Sequence, residues 1–257
     1  MKMGGRKPPL FFINLTIMFG ACDESNIDKQ IWVIGSTWIS RNKLAEYEKD
    51  IATFRLREKF WGEIKWSKLT QGKLDCYKKF VGYTFEKFTP EFKAIIVDTK
   101  LVDFNTYHHK NKQLAFMKFY YFLLFNKARH IIARPNQIDT KFHIVIDEFN
   151  VSTLNFNDLK SYTEMEIKKL KSKYSGVRPV SDSIDFLGRH TSHICSLTQF
   201  TDLICGAIGE VWNGSGDQSY KQEMIKFIEN YAGQPLSVPN EPMDCKFDIW
   251  KWRPTLG

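Results

Sequence analysis

An α/β fold is what the residue order predicts for this 257-residue chain, on three observations. Short runs rich in β-branched and aromatic residues alternate with longer stretches whose apolar residues recur at helical spacing. Two of the short runs end in adjacent acids. The composition is 43% apolar, with 21 Phe, which supplies a sizeable core and leaves no low-complexity tract. Neither a linker nor an internal repeat divides the chain, so one domain over residues 1–257 is expected.

Residues 10–22 and 31–39 (IWVIGSTWI) read as strands joined in a hairpin by the polar stretch Asp23 to Gln30. Leu44, Tyr47, Ile51 and Phe54 mark an amphipathic helix over 42–57, with Ser40 or Asn42 as candidate caps. WGEIKWSKL (61–69) is a mixed segment loosened by Gly62, and a helical stretch around 77–88 closes at Pro90. FKAIIVDTK (92–100) is a buried strand, 112–132 a long helix, and KFHIVIDEF (141–149) the clearest strand in the chain. A Lys-rich helix over 158–173, a strand over 183–187, a helix over 198–212 and a last helix ending near 231 follow. The tail from Pro235 is punctuated by Pro and carries the cluster FDIWKW, which has to dock somewhere.

The net charge of +8 comes from Lys spread along the chain, so it fits a polyanion partner and a simple solubility charge equally. Cys22, Cys76, Cys195, Cys205 and Cys245 are odd in number and form no C-x-x-C pair, which points to a reducing, cytoplasmic setting. Lys2, Arg6 and Lys7 precede an apolar run from Leu10 to Met18 and then Gly20-Ala21-Cys22, the outline of a lipoprotein leader. Asn14 and Thr16 interrupt that run and it leads straight into Asp23-Glu24-Ser25, so a strand is favoured. No other segment approaches the roughly 20 apolar residues of a membrane span.

Open α/β sheets build their sites at the C-terminal ends of strands, which brings the pairs Asp23-Glu24 and Asp147-Glu148 together. Adjacent strand residues face opposite ways, so one acid of each pair is expected to face the site, Asp23 and Asp147. Asp202 lies within a helix and has Thr198, Cys205, Gly206 and Gly209 as its near neighbours. Two glycines in a helix cost roughly 1 kcal/mol each, which implies close approach of a backbone or ligand. With Glu63, these acids fit a two-metal site for Mg²⁺ or Mn²⁺, hard cations that take oxygen ligands, acting on phosphodiesters. His190 and His193 have zinc-like spacing but no further ligand, so they read as part of a polar loop. No Walker, Rossmann or G-x-S-x-G motif is present.

DES after the first strand, GEIKWSKL, IDE, LTQFTDLICGAI and the terminal FDIWKWRP together resemble the prokaryotic and phage family catalogued as domain of unknown function 3800, from about residue 11 to 254. The resemblance implies a ribonuclease-H-like fold, a mixed central sheet flanked by helices. Against the standard ribonuclease H order, the helical stretches at about 41–90 and 104–135 read as insertions and residues 232–257 as a tail. The resemblance implies Asp23 and Asp147 as central metal ligands, Glu63 as a bridging ligand and Asp202 as the ligand from the last helix. Lys65, Trp66 and Lys68 then fall beside the site, where they would contact phosphate or stack a base. The expected activity is a metal-dependent nuclease, or a silent nucleic-acid-binding module of the same fold. An activating protein partner is compatible with either.

Overall fold

The computed structural model describes residues 16–104, 112–147, 155–176, 181–190, 195–214, 217–240 and 246–254. The first apolar run forms β1 (Ile17–Ser25), paired antiparallel with β2 (Ile31–Ser40) from Met18↔Ser40 to Ser25↔Val33. Asp23 and Glu24 are therefore rungs of the ladder and not turn residues, because β2 is long enough to pair them. Residues 10–15 of the expected strand lie outside the described residues. Cys22, the residue of the leader outline, is buried within β1.

Helix α1 (Arg41–Glu58) buries Tyr47, Ile51 and Phe54, the stripe that the spacing predicts. Ser40 holds the cap position with extended backbone, yet its side chain makes no capping bond. After an irregular stretch and one turn at Trp66–Lys68, α2 (Leu74–Tyr83) continues through a wider turn at Thr84–Phe88. The chain then enters β3 (Glu91–Asp98), antiparallel to β2. Next come α3 (Lys112–Ala133), β4 (Lys141–Asp147), α4 (Phe156–Ser175) and β5 (Ile184–His190). Asn155 caps α4, its side chain accepting from the amides of Asn157 and Asp158. The chain closes with α5 (Ser196–Asn213), α6 (Ser219–Ala232) and β6 (Phe247–Lys251).

The strands form one mixed sheet in the order β5-β4-β1-β2-β3-β6. β1, β2 and β3 are an antiparallel meander, while β4 lies parallel to β1, β5 to β4 and β6 to β3. Alternation splits the sheet between two cores. Phe19, Ala21 and Val33 face α1, α2, α5 and α6; Met18, Cys22, Trp32 and Ile34 face α3 and α4. Helix α3, from the stretch expected to be an insertion, covers that second face with Phe116, Phe119, Tyr120, Leu123 and Leu124.

One expectation is completed and one is corrected. The aromatic tail cluster is a sixth strand: Phe247 and Ile249 enter the first core, and Asp248 between them is buried in an ion pair with Lys93 of β3. In that pair each buried charge compensates the other. His190 is the last residue of a strand and not part of a loop: β5 continues past residue 187 and pairs with β4 through Asp147↔His190. His193 lies outside the described residues.

Candidate functional site

The parallel ladder between β1 and β4 stops at Cys22↔Ile146, and the next residue on each strand is an acid, Asp23 and Asp147. Neighbouring strands lie about 4.8 Å apart, so the ladder sets the two carboxylates side by side. Both are buried. Asp23 Oδ1 accepts from the Glu24 amide at 2.8 Å, and the Cys205 thiol donates to the Asp23 carbonyl at 3.7 Å. The other oxygen, Oδ2, is buried and accepts no hydrogen bond.

Asp202 comes from α5, which runs against β1 and β2. A Cβ on Gly35 of β2 would stand 2.3 Å from Cys205 Sγ, one on Gly206 2.2 Å from Trp66 Cγ, and one on Gly209 2.0 Å from Asn26 Nδ2. The helix glycines thus admit side chains of the 61–69 segment and of the β1–β2 turn, rather than a backbone or a ligand. The Trp66 amide donates to Asp202 Oδ1 at 2.6 Å.

Glu63 reaches the same place on a strap of chain that is anchored along its length. Arg55 donates to the Gly62 carbonyl at 2.7 Å and to Gln199 Oε1 at 2.6 Å, and that same oxygen accepts the Ile64 amide at 2.9 Å. The Tyr77 hydroxyl accepts the Lys65 amide at 3.2 Å and donates to the Lys65 carbonyl at 3.3 Å. Lys68 Nζ stands 2.5 Å from Glu63 Oε2. Lys65 Nζ stands 3.7 Å from Glu63 Oε1 and 3.6 Å from Asp147 Oδ2.

Glu24 joins the centre although alternation sends its side chain toward α3. There the Tyr120 hydroxyl donates to Oε2 at 2.5 Å. At the end of a strand the two faces of the sheet meet, and Glu24 feels both Asp147 and Asp202. Burial pushes Glu24 up to about 8, against the hydrogen bond from Tyr120, with Asp147 and Asp202 adding to the rise and Lys65 opposing it. Burial likewise raises Asp202 to about 6, opposed first by the Trp66 amide and then by the charge of Lys65, with Asp147 adding to the rise. Asp23 is held well above the usual carboxylate range by burial, then by Asp202, Glu24 and Asp147. Burial works to lower Lys65, and the charges of Asp202, Asp147, Glu63 and Asp23 outweigh it, so that its proton is held more tightly than usual.

All four acids singled out from the sequence come to one place, and the cluster is a set of hard oxygen donors with an unpartnered buried oxygen at Asp23. That chemistry fits a divalent cation. Among the described residues, however, no three His, Cys, Asp or Glu side chains are drawn together as a closed ligand set. Trp66 corrects another expectation: it is 7% exposed, lies over Gly206, and donates its indole N–H to Glu210 at 3.1 Å, so it has no face to offer a base. The exposed tryptophan of the segment is Trp61, at 72%.

The strand order, the parallel β1–β4 pair and the helices on both faces define a ribonuclease-H-like α/β protein. No family model matches the chain, and no curated protein matches it. Among solved structures it is similar to ribonuclease HII of Archaeoglobus fulgidus, determined in complex with PCNA, at 13% identity and TM-score 0.39 over 86% of this chain and 91% of that one. It is similar to ribonuclease H2 of Pyrococcus horikoshii OT3 at 13% identity and TM-score 0.41, over 88% and 91%. It is also similar to Bst ribonuclease HIII in complex with Mn²⁺ at 10% identity and TM-score 0.38, over 86% of this chain and 56% of that one. Identities this low carry no residue correspondence onto this chain.

Gly206→Ala, which drives a methyl group into the Trp66 ring, is expected to destabilise by about 1–3 kcal/mol despite the better helix propensity of Ala. Gly72→Ala, where a Cβ meets nothing within 4 Å, should stay within about 0.5 kcal/mol of the parent. Urea unfolding compares them, and equal losses would sink the packing account.

The raised carboxyls also set a pH dependence. Between the ordinary value of 4.5 and about 8, folded Glu24 holds a proton that the unfolded chain has released. Stability therefore falls as pH rises through that window. In EDTA, the melting temperature of the native protein should fall more steeply over this range than that of Glu24→Gln; parallel slopes would refute the assignment.

Proposed function

We propose that this chain is a divalent-metal-dependent nuclease that hydrolyses phosphodiester bonds, with Asp23, Asp147, Asp202 and Glu63 as its metal-site acids and Glu24 beside them. The observation that carries the reading is the meeting, in a buried place, of carboxylates from the ends of β1 and β4 and from α5, close enough that the charge of Asp147 adds to the proton affinity of Asp23, Glu24 and Asp202. Burying like charges together is costly, and proteins concentrate such arrangements at functional sites. All-oxygen donors favour Mg²⁺ or Mn²⁺ over softer ions. Such an ion supplies activation of water and neutralisation of charge on a phosphodiester.

The remaining work falls to the chain's own groups. The Trp66 amide holds Asp202 in one orientation, Tyr120 holds Glu24, and Lys68 holds Glu63. Lys65 and Lys68 bring positive charge to the mouth of an acidic site, where an anionic substrate needs it, and the net charge of +8 favours nucleic acid over the long range. Trp61 lies two residues from Glu63, within about 7 Å along the chain. It takes over the base-stacking role that the family resemblance implies for the Lys65–Lys68 segment.

A second reading, a silent nucleic-acid-binding module, is favoured by the absence of a closed ligand set among the described residues. End-labelled single- and double-stranded DNA, RNA and an RNA/DNA hybrid, each in Mg²⁺, Mn²⁺ or EDTA, separate the two. Cleavage that needs metal and falls by about 100-fold or more in Asp147→Asn is expected, given the several kcal/mol that metal activation contributes. Gel shifts without products would replace the nuclease with the binding module.

Trp61→Ala should weaken single-strand binding by about 1–3 kcal/mol, the worth of one stacked base, and Trp61→Phe should recover most of it. Fluorescence anisotropy with a labelled oligonucleotide checks this, and unchanged affinity in Trp61→Ala would remove Trp61 from the interface.

A further inference from the structure

We propose that Lys65 is the resident counter-ion of the acid centre, an ammonium that occupies the cation's place and withdraws when a divalent ion binds. The inference rests on the reading that these acids take such an ion. Lys65 Nζ lies between carboxylates from different elements, 3.6 Å from Asp147 Oδ2 and 3.7 Å from Glu63 Oε1. Those separations are long for charge-assisted hydrogen bonds, which close to about 2.7–2.9 Å. They are what a point charge adopts when it serves several anions and is locked to none.

The backbone under Lys65 is fixed while its side chain is not. Tyr77 bonds both its amide and its carbonyl, and the next amide is held by Asp202. The ammonium is carried on a flexible four-carbon stem and is about a third exposed, with a route to solvent. Lys68, anchored on Glu63 Oε2 at 2.5 Å, keeps a positive charge beside Glu63 when Lys65 leaves. The arrangement also accounts for acids that meet without forming, among the described residues, a closed ligand set: with an ammonium among them, they stand around a larger and less demanding cation. Lys65 acts on the ion through the acids, so it is a positioning residue that sets the affinity and the exchange of the cation.

The test compares native protein, Lys65→Met and Asp147→Asn by calorimetric titration with Mn²⁺ and by thermal unfolding in EDTA. Lys65→Met is expected to melt at a lower temperature than native in EDTA. It is also expected to bind Mn²⁺ about tenfold or more tightly, the scale on which one neighbouring charge shifts a carboxylate equilibrium. Binding by native protein with no gain in Lys65→Met overturns the counter-ion role and leaves the metal reading standing. No binding by either overturns both.

A measurement on the native protein guards against a variant that fails to fold. Acetylation of Lys65 by acetic anhydride, followed by mass spectrometry, should be slow in EDTA and several-fold faster in saturating Mn²⁺. Lys226, on the exposed side of α6, serves as the reference. An unchanged ratio of the two rates means that Lys65 stays in place when the ion binds and refutes the proposal.

Discussion

The last rung of the parallel ladder between β1 and β4, Cys22 opposite Ile146, is the constraint on which the acid centre depends. It fixes how far each strand is held before its acid begins. Strand alternation then sends Asp23 and Asp147 to the face covered by α5, where Asp202 waits. A slip of one residue in either strand would turn one acid toward α3 and put an apolar residue in its place. Register is secured by the core on both faces: Phe19, Ala21 and Val145 on one side, Met18, Cys22 and Ile146 on the other. The strongest apolar segments of the chain thus specify the position of its most polar side chains.

The second requirement is that α5 lie close enough to the sheet and to the 61–66 strap. Small residues meet it in both directions: Gly35 makes room for Cys205, and Gly206 makes room for Trp66. Trp66 is then a wedge rather than a contact for ligands. Its ring settles the height of the strap over α5, and its amide settles Asp202. Arg55 and Gln199 complete the fit by satisfying main-chain groups of a segment that has no ladder of its own. A loop built this way has the definition of a regular element while leaving Glu63, Lys65 and Lys68 free to differ in chemistry.

Much of this was legible in the residues because the signals were local. Strands ended by acids, a helical stripe over Leu44 to Phe54 and an aspartate among glycines all report on their own neighbourhoods. What escaped depended on distant partners. Glu24 follows the rule of alternation and faces α3, where Tyr120, 96 residues later, holds it while Asp147 and Asp202 act on it from the centre. Trp66 and Trp61 look alike in sequence, and which one is buried depends on Gly206. Asp248 marks the tail as polar until Lys93 is found beside it.

That last pairing has a consequence for how the chain reaches its folded state. β6 docks parallel to β3 across a separation of 155 residues, from Phe92↔Phe247 to Ile96↔Lys251. Parallel pairing at such distance forms late, because loop closure has to precede any return from the contact. Until Asp248 arrives, Lys93 in β3 lacks the carboxylate with which it is buried in the folded chain. During synthesis β3 is then an exposed sheet edge, open to pairing with other chains, for as long as the ribosome takes to make the intervening residues. A lysine on that edge is a charge of the kind that keeps such strands apart, so the group that later locks the sixth strand in place first serves to protect its seat.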